Sequence, residues 1–411
     1  MTLNIIITLC TLILIAYIFD VTSSKTKIPS VILLLALGWF VKIASGYLGI
    51  NIPNMEPALP ILGTVGLILI VLEGSLELEF NRSKFRVLKR SFWIALFPLV
   101  TLSFAMAYIF HYYGGYDYKD ALVNSIPLFI ISSAIAIPSA KNISFPKKEF
   151  VTYESSLSDI LGVIIFNFFV VNAVIGPSSI LQFFLELLLM IGISFVASIA
   201  LSYLLSKIQH NIKFAPIILL LIIIYAISKI YHLPALIFIL VFGIFIGNLD
   251  ELKSIKWIEK LRPEILNREV HKFREITTEA TFLVRSLFFL LFGYLIDIKE
   301  IMNTETLVWS AGICGGIFLV RLVQLKLFKM NIFPLLFIAP RGLITILLYL
   351  SIPASQAISL VNKPMIIQVI ILTAFIMMLG LMINRETNPA APAFKTIKKQ
   401  FKRHGKDTKH D

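Results

Sequence analysis

The sequence predicts an all-α polytopic membrane protein with about thirteen transmembrane helices, and three observations carry that expectation. Of its 411 residues 58% are hydrophobic and only 15% are charged, a balance foreign to a water-soluble domain of this size. Apolar runs of about 17 to 25 residues recur from end to end, and a helix needs roughly 20 of them to cross a hydrocarbon core about 30 Å thick. The runs are continuous rather than alternating at Val31 to Phe40, Ile61 to Val71, Leu185 to Leu204 and Ile217 to Ile227, which is not the pattern of a membrane β-barrel. Helices then remain the only spanning structure that bonds every backbone amide internally.

The first run, 3–19, follows a nearly uncharged start and has no small-residue cleavage pattern behind it, so it reads as a retained span and not a removed signal peptide. The following spans are 29–48, 58–78, 91–113, 121–140, 151–176 and 181–206. The tightest turn is expected between 214–231 and 233–249, where the chain must reverse within Tyr231, His232 and Leu233 before Pro234. Four more spans, 276–298, 303–328, 332–352 and 366–383, complete a membrane domain over 1–384. Cys10 and Cys314 lie in apolar runs, form no ligand-spaced group and read as buried thiols.

Charge asymmetry tests this count independently, because cytoplasmic loops carry an excess of Lys and Arg. Alternate loops and the tail hold 29 of the 37 basic residues, and the opposite side holds Lys42, Lys119, Lys229, Lys299 and Lys363. The split predicts a multi-pass cell-membrane protein with its N-terminus outside and its C-terminus in the cytoplasm. The formal charge of +13 is therefore positive-inside bias divided among several loops, and no nucleic-acid partner is expected. Within the longest loop, 250–275, an amphipathic segment is expected to lie on the inner surface with Trp257 and Ile258 toward lipid. The short basic tail, 385–411, is expected to be disordered.

Ionisable groups inside apolar runs are costly and mark ion pathways or buried pairs. They are Glu73, Glu154, Asp159, Glu279, Arg285, Arg321 and Arg341. Asp159 stands out: in VTYESSLSDILGVIIFNFF it follows Ser158 directly and has Ser155 one turn earlier on the same face. A carboxylate ringed by hydroxyls can hold a small hard cation or a proton, and that competition is the essence of exchange. Glu154 is five residues from Asp159, about 140° around the helix, so the two carboxylates face different ways. Pairing with Arg341 or Arg321 on another helix suits Glu154 better than sharing an ion site. Arg285 reads either as a fixed positive charge opposite Asp159 or as structural, Glu73 as part of the pathway or of packing, and Glu279 lies near the start of its span.

Two spans are interrupted. SIPLFIISSAIAIPSAKN places Ser132, Ser133 and Pro138 within an apolar segment, and FPLLFIAPRGLITILLYLSIP carries Pro340-Arg341-Gly342. Proline removes an amide donor, and broken helices of this kind line midplane sites in transporters. Their placement in separate halves suggests two inverted six-helix repeats, with a core near 91–176 and 303–383.

At these residues the sequence resembles the monovalent cation/proton antiporter superfamily, on its sodium/proton exchanger (NhaP-like) side. YESSLSDILGVIIFN resembles that family's Glu-Ser-x-x-Asn-Asp helix, GLILIVLEGSLEL its third helix, TEATFLVRSLFFLLFG its tenth and APRGLITILLYL its Arg-Gly helix. The resemblance spans roughly residues 5 to 385. It implies that Asp159 carries ion and proton, that Ser155 is a cation ligand, that Glu154 pairs with a core arginine, and that Ser132, Ser133 and their carbonyls line the crossing of broken helices. It further implies a homodimer in which a six-helix core moves like an elevator. Ser158 departs from the family's usual Asn or Asp, and Ser133-Ala134 from the Asp-Pro of many members. A single titrating carboxylate implies electroneutral exchange of one proton per monovalent cation, with Na⁺, K⁺ and Li⁺ all open. No cofactor is implied.

The rival classes are weaker. A channel would need a filter sequence, and none repeats here. None of the six His residues forms the His-Glu-x-x-His pair of a membrane metalloprotease, so an enzyme is not expected. A coupled porter for an organic solute is harder to set aside on composition alone, but cation coupling explains Asp159.

Overall fold

The computed structural model describes residues 2–26, 28–49, 55–78, 84–140, 143–172, 176–207, 214–231, 235–249, 263–297 and 301–383. Fourteen helices occupy them: α1 (Thr2–Thr26), α2 (Ser30–Tyr47), α3 (Ala58–Glu77), α4 (Phe85–Gly114), α5 (Tyr118–Phe129), α6 (Ser133–Ser139), α7 (Phe145–Val171), α8 (Pro177–Lys207), α9 (Phe214–Ile230), α10 (Ala235–Gly247), α11 (Pro263–Leu295), α12 (Thr304–Leu327), α13 (Leu343–Leu350) and α14 (Lys363–Ile383). Among the described residues, nine stretches of helix are long and apolar enough to cross a membrane, with three shorter apolar helices beside them. The protein is thus an all-α, multi-pass membrane protein.

Local chemistry explains where the helices begin and end. Asp117 caps α5 by accepting from the Lys119 amide, and Asn303 caps α12 by accepting from the amides of Glu305 and Thr306. Pro146 sits in the first turn of α7, where its missing amide is harmless. Helix α4 ends on Gly115 at φ 67°, the left-handed conformation that glycine adopts without strain.

The structure corrects several boundaries. The first helix runs on past residue 19 to Thr26, so Asp20 lies inside it. The span expected at 276–298 starts at Pro263, and the latter part of the 250–275 segment is helix continuous with α11. Trp257 and Ile258, like the 385–411 tail, lie outside the described residues. The largest correction falls on 332–352, of which only Leu343–Leu350 is helical. Pro334 and Pro340 withhold two amides, and Gly342 sits in an extended conformation at φ −172°, so the helix starts only after it.

Helices α1–α3 pack chiefly with α8–α11, while α4–α7 pack with α12–α14. The first group is knit by close backbone approach of α2 to α11. A Cβ on Gly38 would run into the Leu290 carbonyl and come 2.8 Å from the Tyr294 amide nitrogen, and one on Gly293 would come 2.8 Å from the Leu35 Cα. Small residues let membrane helices touch in this way. Gly38→Ala is therefore expected to push the helices apart and destabilise the protein by about 1–3 kcal/mol. Thermal unfolding in detergent measures this, and an unchanged midpoint would refute the contact.

Candidate functional site

The two interruptions meet. Helix α5 stops at Phe129, residues 130–132 run extended, and α6 restarts at Ser133. The extended stretch before α13 crosses there, and the Ser132 amide donates to the Pro340 carbonyl at 2.9 Å. A break at membrane depth leaves carbonyls without intrahelical partners. Arg341 takes them up: its Nε donates to the Leu128 carbonyl at 3.0 Å, and its two terminal nitrogens donate to the carbonyls of Ala339 at 2.6 Å and Phe129 at 3.2 Å. The Arg341 amide in turn donates to Thr373 of α14. Gly342 is needed at the crossing, since a Cβ there would lie 2.8 Å from Ser132 Oγ and closer still to Ile135.

Helix α7 passes beside this crossing and presents Asp159, which is only 2% exposed. Its Oδ2 accepts from the Ser133 amide at 3.2 Å and from the Ser133 hydroxyl in a very short bond. Its other oxygen, Oδ1, is buried with no hydrogen-bond partner among the described residues. The hydroxyls of Ser132 at the break, Ser156 on α7 and Thr345 on α13 are likewise buried without partners among the described residues. The Ser158 hydroxyl accepts from the Ile131 amide at 2.9 Å and so holds the extended segment against α7. The Ser155 hydroxyl donates to the Val151 carbonyl of its own helix at 2.7 Å.

The remaining charges divide into three groups. Glu154, 1% exposed, meets Arg321 of α12 in a two-pronged pair, NH1 to Oε1 at 2.6 Å and NH2 to Oε2 at 2.9 Å. Arg321 also donates through Nε to the Leu335 carbonyl, tying the pair to the turns that precede α13. Arg285 of α11 reaches across to α6, donating to the Ala134 carbonyl at 3.3 Å, and faces Asp20 of α1 at 3.5 Å. Asp20 also accepts from the Ser30 hydroxyl. Glu73 of α3 is half-buried beside Arg285, Thr278 and Thr281, in a recess that Ser133 and Ala134 also line. Glu279 is exposed and belongs to none of these groups.

Two residues of this neighbourhood escaped sequence reasoning. Asp20 lies just beyond the 3–19 span expected from hydropathy, inside the longer helix that forms. Thr345 is the lone Ser or Thr of its half-helix, three residues after the Gly342 interruption, and that spacing is a usable signal.

A family model described as sodium/hydrogen exchanger, transmembrane, matches residues 10–385. No curated protein matches the chain in sequence. Among solved structures, the chain is similar to that of the sodium proton antiporter MjNhaP1 from Methanocaldococcus jannaschii at pH 8, with a TM-score of 0.63 and 19% identity over 93% of this chain and 96% of that one. A structure of the same antiporter from an electron-microscopy map gives a TM-score of 0.61 and 18% identity over 93% of this chain and 95% of the other.

Proposed function

The chain belongs to the transmembrane sodium/hydrogen exchanger family, and from that premise we propose that Asp159 is the group that takes up cation and proton by turns. The protein is a secondary active sodium/proton antiporter and not an enzyme. One observation carries the assignment: a buried carboxylate oxygen, Asp159 Oδ1, has no partner among the described residues, on a helix tied to the crossing through Ser133 and Ser158. Buried polar atoms are nearly always bonded, and an orphaned buried carboxylate oxygen is a natural seat for an exchangeable ion. Ser133 fixes the other oxygen, so Oδ1 is the side that receives either guest. Ser158 holds the break in place, and Ser155 supplies an oxygen one turn below.

Exchange then follows from the expense of an empty buried charge. With the site facing outward, a proton binds Asp159 and the cation leaves. The neutral, protonated site moves inward, cytoplasmic cation replaces the proton, and the filled site returns. An unpaired buried carboxylate moves poorly, which ties the two fluxes together. Glu154, Arg321 and Arg341 keep their bonds throughout and act as scaffold, while Glu73 and Arg285 stand along the inner approach.

The architecture that supports this cycle has thirteen crossings, counting α5 with α6 as one and the interrupted 332–350 segment as another. They are arranged as two inverted six-helix repeats, with the N-terminus outside the cell membrane and the C-terminus in the cytoplasm. Helices α4–α7 and α12–α14 form the moving core, and α1–α3 with α8–α11 form the part that dimerises. Na⁺ is the first candidate among Na⁺, K⁺ and Li⁺.

The reading is tested by cation-induced proton movement in proteoliposomes, comparing Na⁺, Li⁺, K⁺ and choline with the membrane potential clamped or reversed. Saturable exchange insensitive to potential is expected, because one carboxylate trades one proton for one charge. Rates that follow the potential would mean that a second charge moves with the first.

A further inference from the structure

The approaches to Asp159 are charged unequally on its two sides. On the side proposed as outer, a cavity of about 270 Å³ opens among α3, α7, α9 and α13, with Thr64, Val163, Asn167, Tyr225, Lys229 and Ser351 in its wall. Its deep end reaches Val163, one helical turn beyond Asp159 on the same face of α7. Lys229, exposed in the last turn of α9, is the only charged group among the described residues of that wall, which contains no carboxylate. On the other side, a recess of about 40 Å³ beside Ser133 is lined by two carboxylates, Glu73 and Glu77, and one guanidinium, Arg285. Glu77 also meets Arg274 at 3.1 Å.

We propose that Lys229 sets the sidedness of exchange: its fixed positive charge makes the outer vestibule a release side for the cation while the carboxylate-lined recess is the capture side. The inference rests on Asp159 as the exchange site and on the proposed orientation. A fixed charge in a vestibule changes the local concentration of a diffusing ion, and a positive one depletes cations. It leaves the equilibrium of exchange untouched, since the two gradients alone set that. What changes is the concentration at which each face saturates, so the protein works readily as an exporter and needs more cation to run the other way.

Exchange is measured in proteoliposomes with Na⁺ presented to one face at a time, orientation being scored by protease access to a tag on the C-terminal tail. Lys229→Gln is expected to lower the apparent KM for Na⁺ at the outer face about two- to threefold, and Lys229→Glu about fivefold, with inner-face KM and kcat unchanged. Both shifts should shrink as choline chloride is raised from about 20 to about 500 mM, since salt screens an exposed charge. Lys229→Arg keeps the charge and should keep the wild-type value. An unchanged outer KM in Lys229→Glu, or equal shifts at both faces, overturns the inference and leaves Asp159 exchange standing. A wild-type protein that exchanges no cation for protons removes the reading beneath it, and the inference falls with it.

Discussion

Asp159→Asn is expected to reduce proton-coupled cation exchange to the level of empty liposomes. The side chain keeps its shape, but an amide neither releases a proton nor balances a cation, so the group proposed to trade the two is gone. The amide nitrogen also brings donors to a place where the Ser133 amide and hydroxyl already donate. Because Asp159 has no arginine or lysine partner among the described residues, the loss should come without a large loss of stability, and thermal unfolding in detergent checks that the variant is folded. In the wild type, lowering the pH should raise the apparent KM for the cation, as expected when protons occupy the same oxygen. Full exchange by a folded Asp159→Asn protein would defeat the proposed mechanism.

Arg321→Gln is expected to destabilise the protein by about 3–5 kcal/mol, the usual consequence of stranding one member of a buried ion pair. Glu154 would keep its charge at 1% exposure with both hydrogen bonds lost, and the Leu335 carbonyl would lose its donor as well. Combining Arg321→Gln with Glu154→Gln should recover much of the loss, since no charge is then left unpaired. The readout is the unfolding midpoint of the two single variants and the double variant. If the double variant were as unstable as the two losses added together, the pair would not be acting as a unit.

The membrane class was plain in the sequence because hydropathy acts over whole segments: α9 and α10 emerge from runs such as Ile217 to Ile227 with hardly a polar residue to mislead. Interruptions were legible for a similar reason, as proline and glycine act locally. Their extent was not, since between Pro334, Pro340 and Gly342 only Leu343–Leu350 of 332–352 is left helical. Pairings between helices were the least legible. Arg321 and Arg341 both sit in apolar surroundings, and nothing local tells that one reaches a carboxylate while the other bonds three carbonyls. That choice belongs to the crossing of segments remote in the chain. Asp20 shows the same limit, because its significance comes from Arg285, which lies on a different helix.

The crossing of the two broken segments is held by one main-chain bond, Ser132 to Pro340, and by two side chains that bond main-chain groups: Ser158 to the Ile131 amide, and Arg341 to the carbonyls of Leu128, Phe129 and Ala339. The side chains of Ser132, Ser156 and Thr345 take no part in that framework. In the proposed site, ion preference would therefore rest on atoms other than those that hold the junction. On that proposal, a lineage carrying this fold would change its cation by replacing Ser132, Ser156 or Thr345 one at a time, each step leaving the junction intact, and discrimination among cations would be an evolvable trait largely independent of the ability to fold.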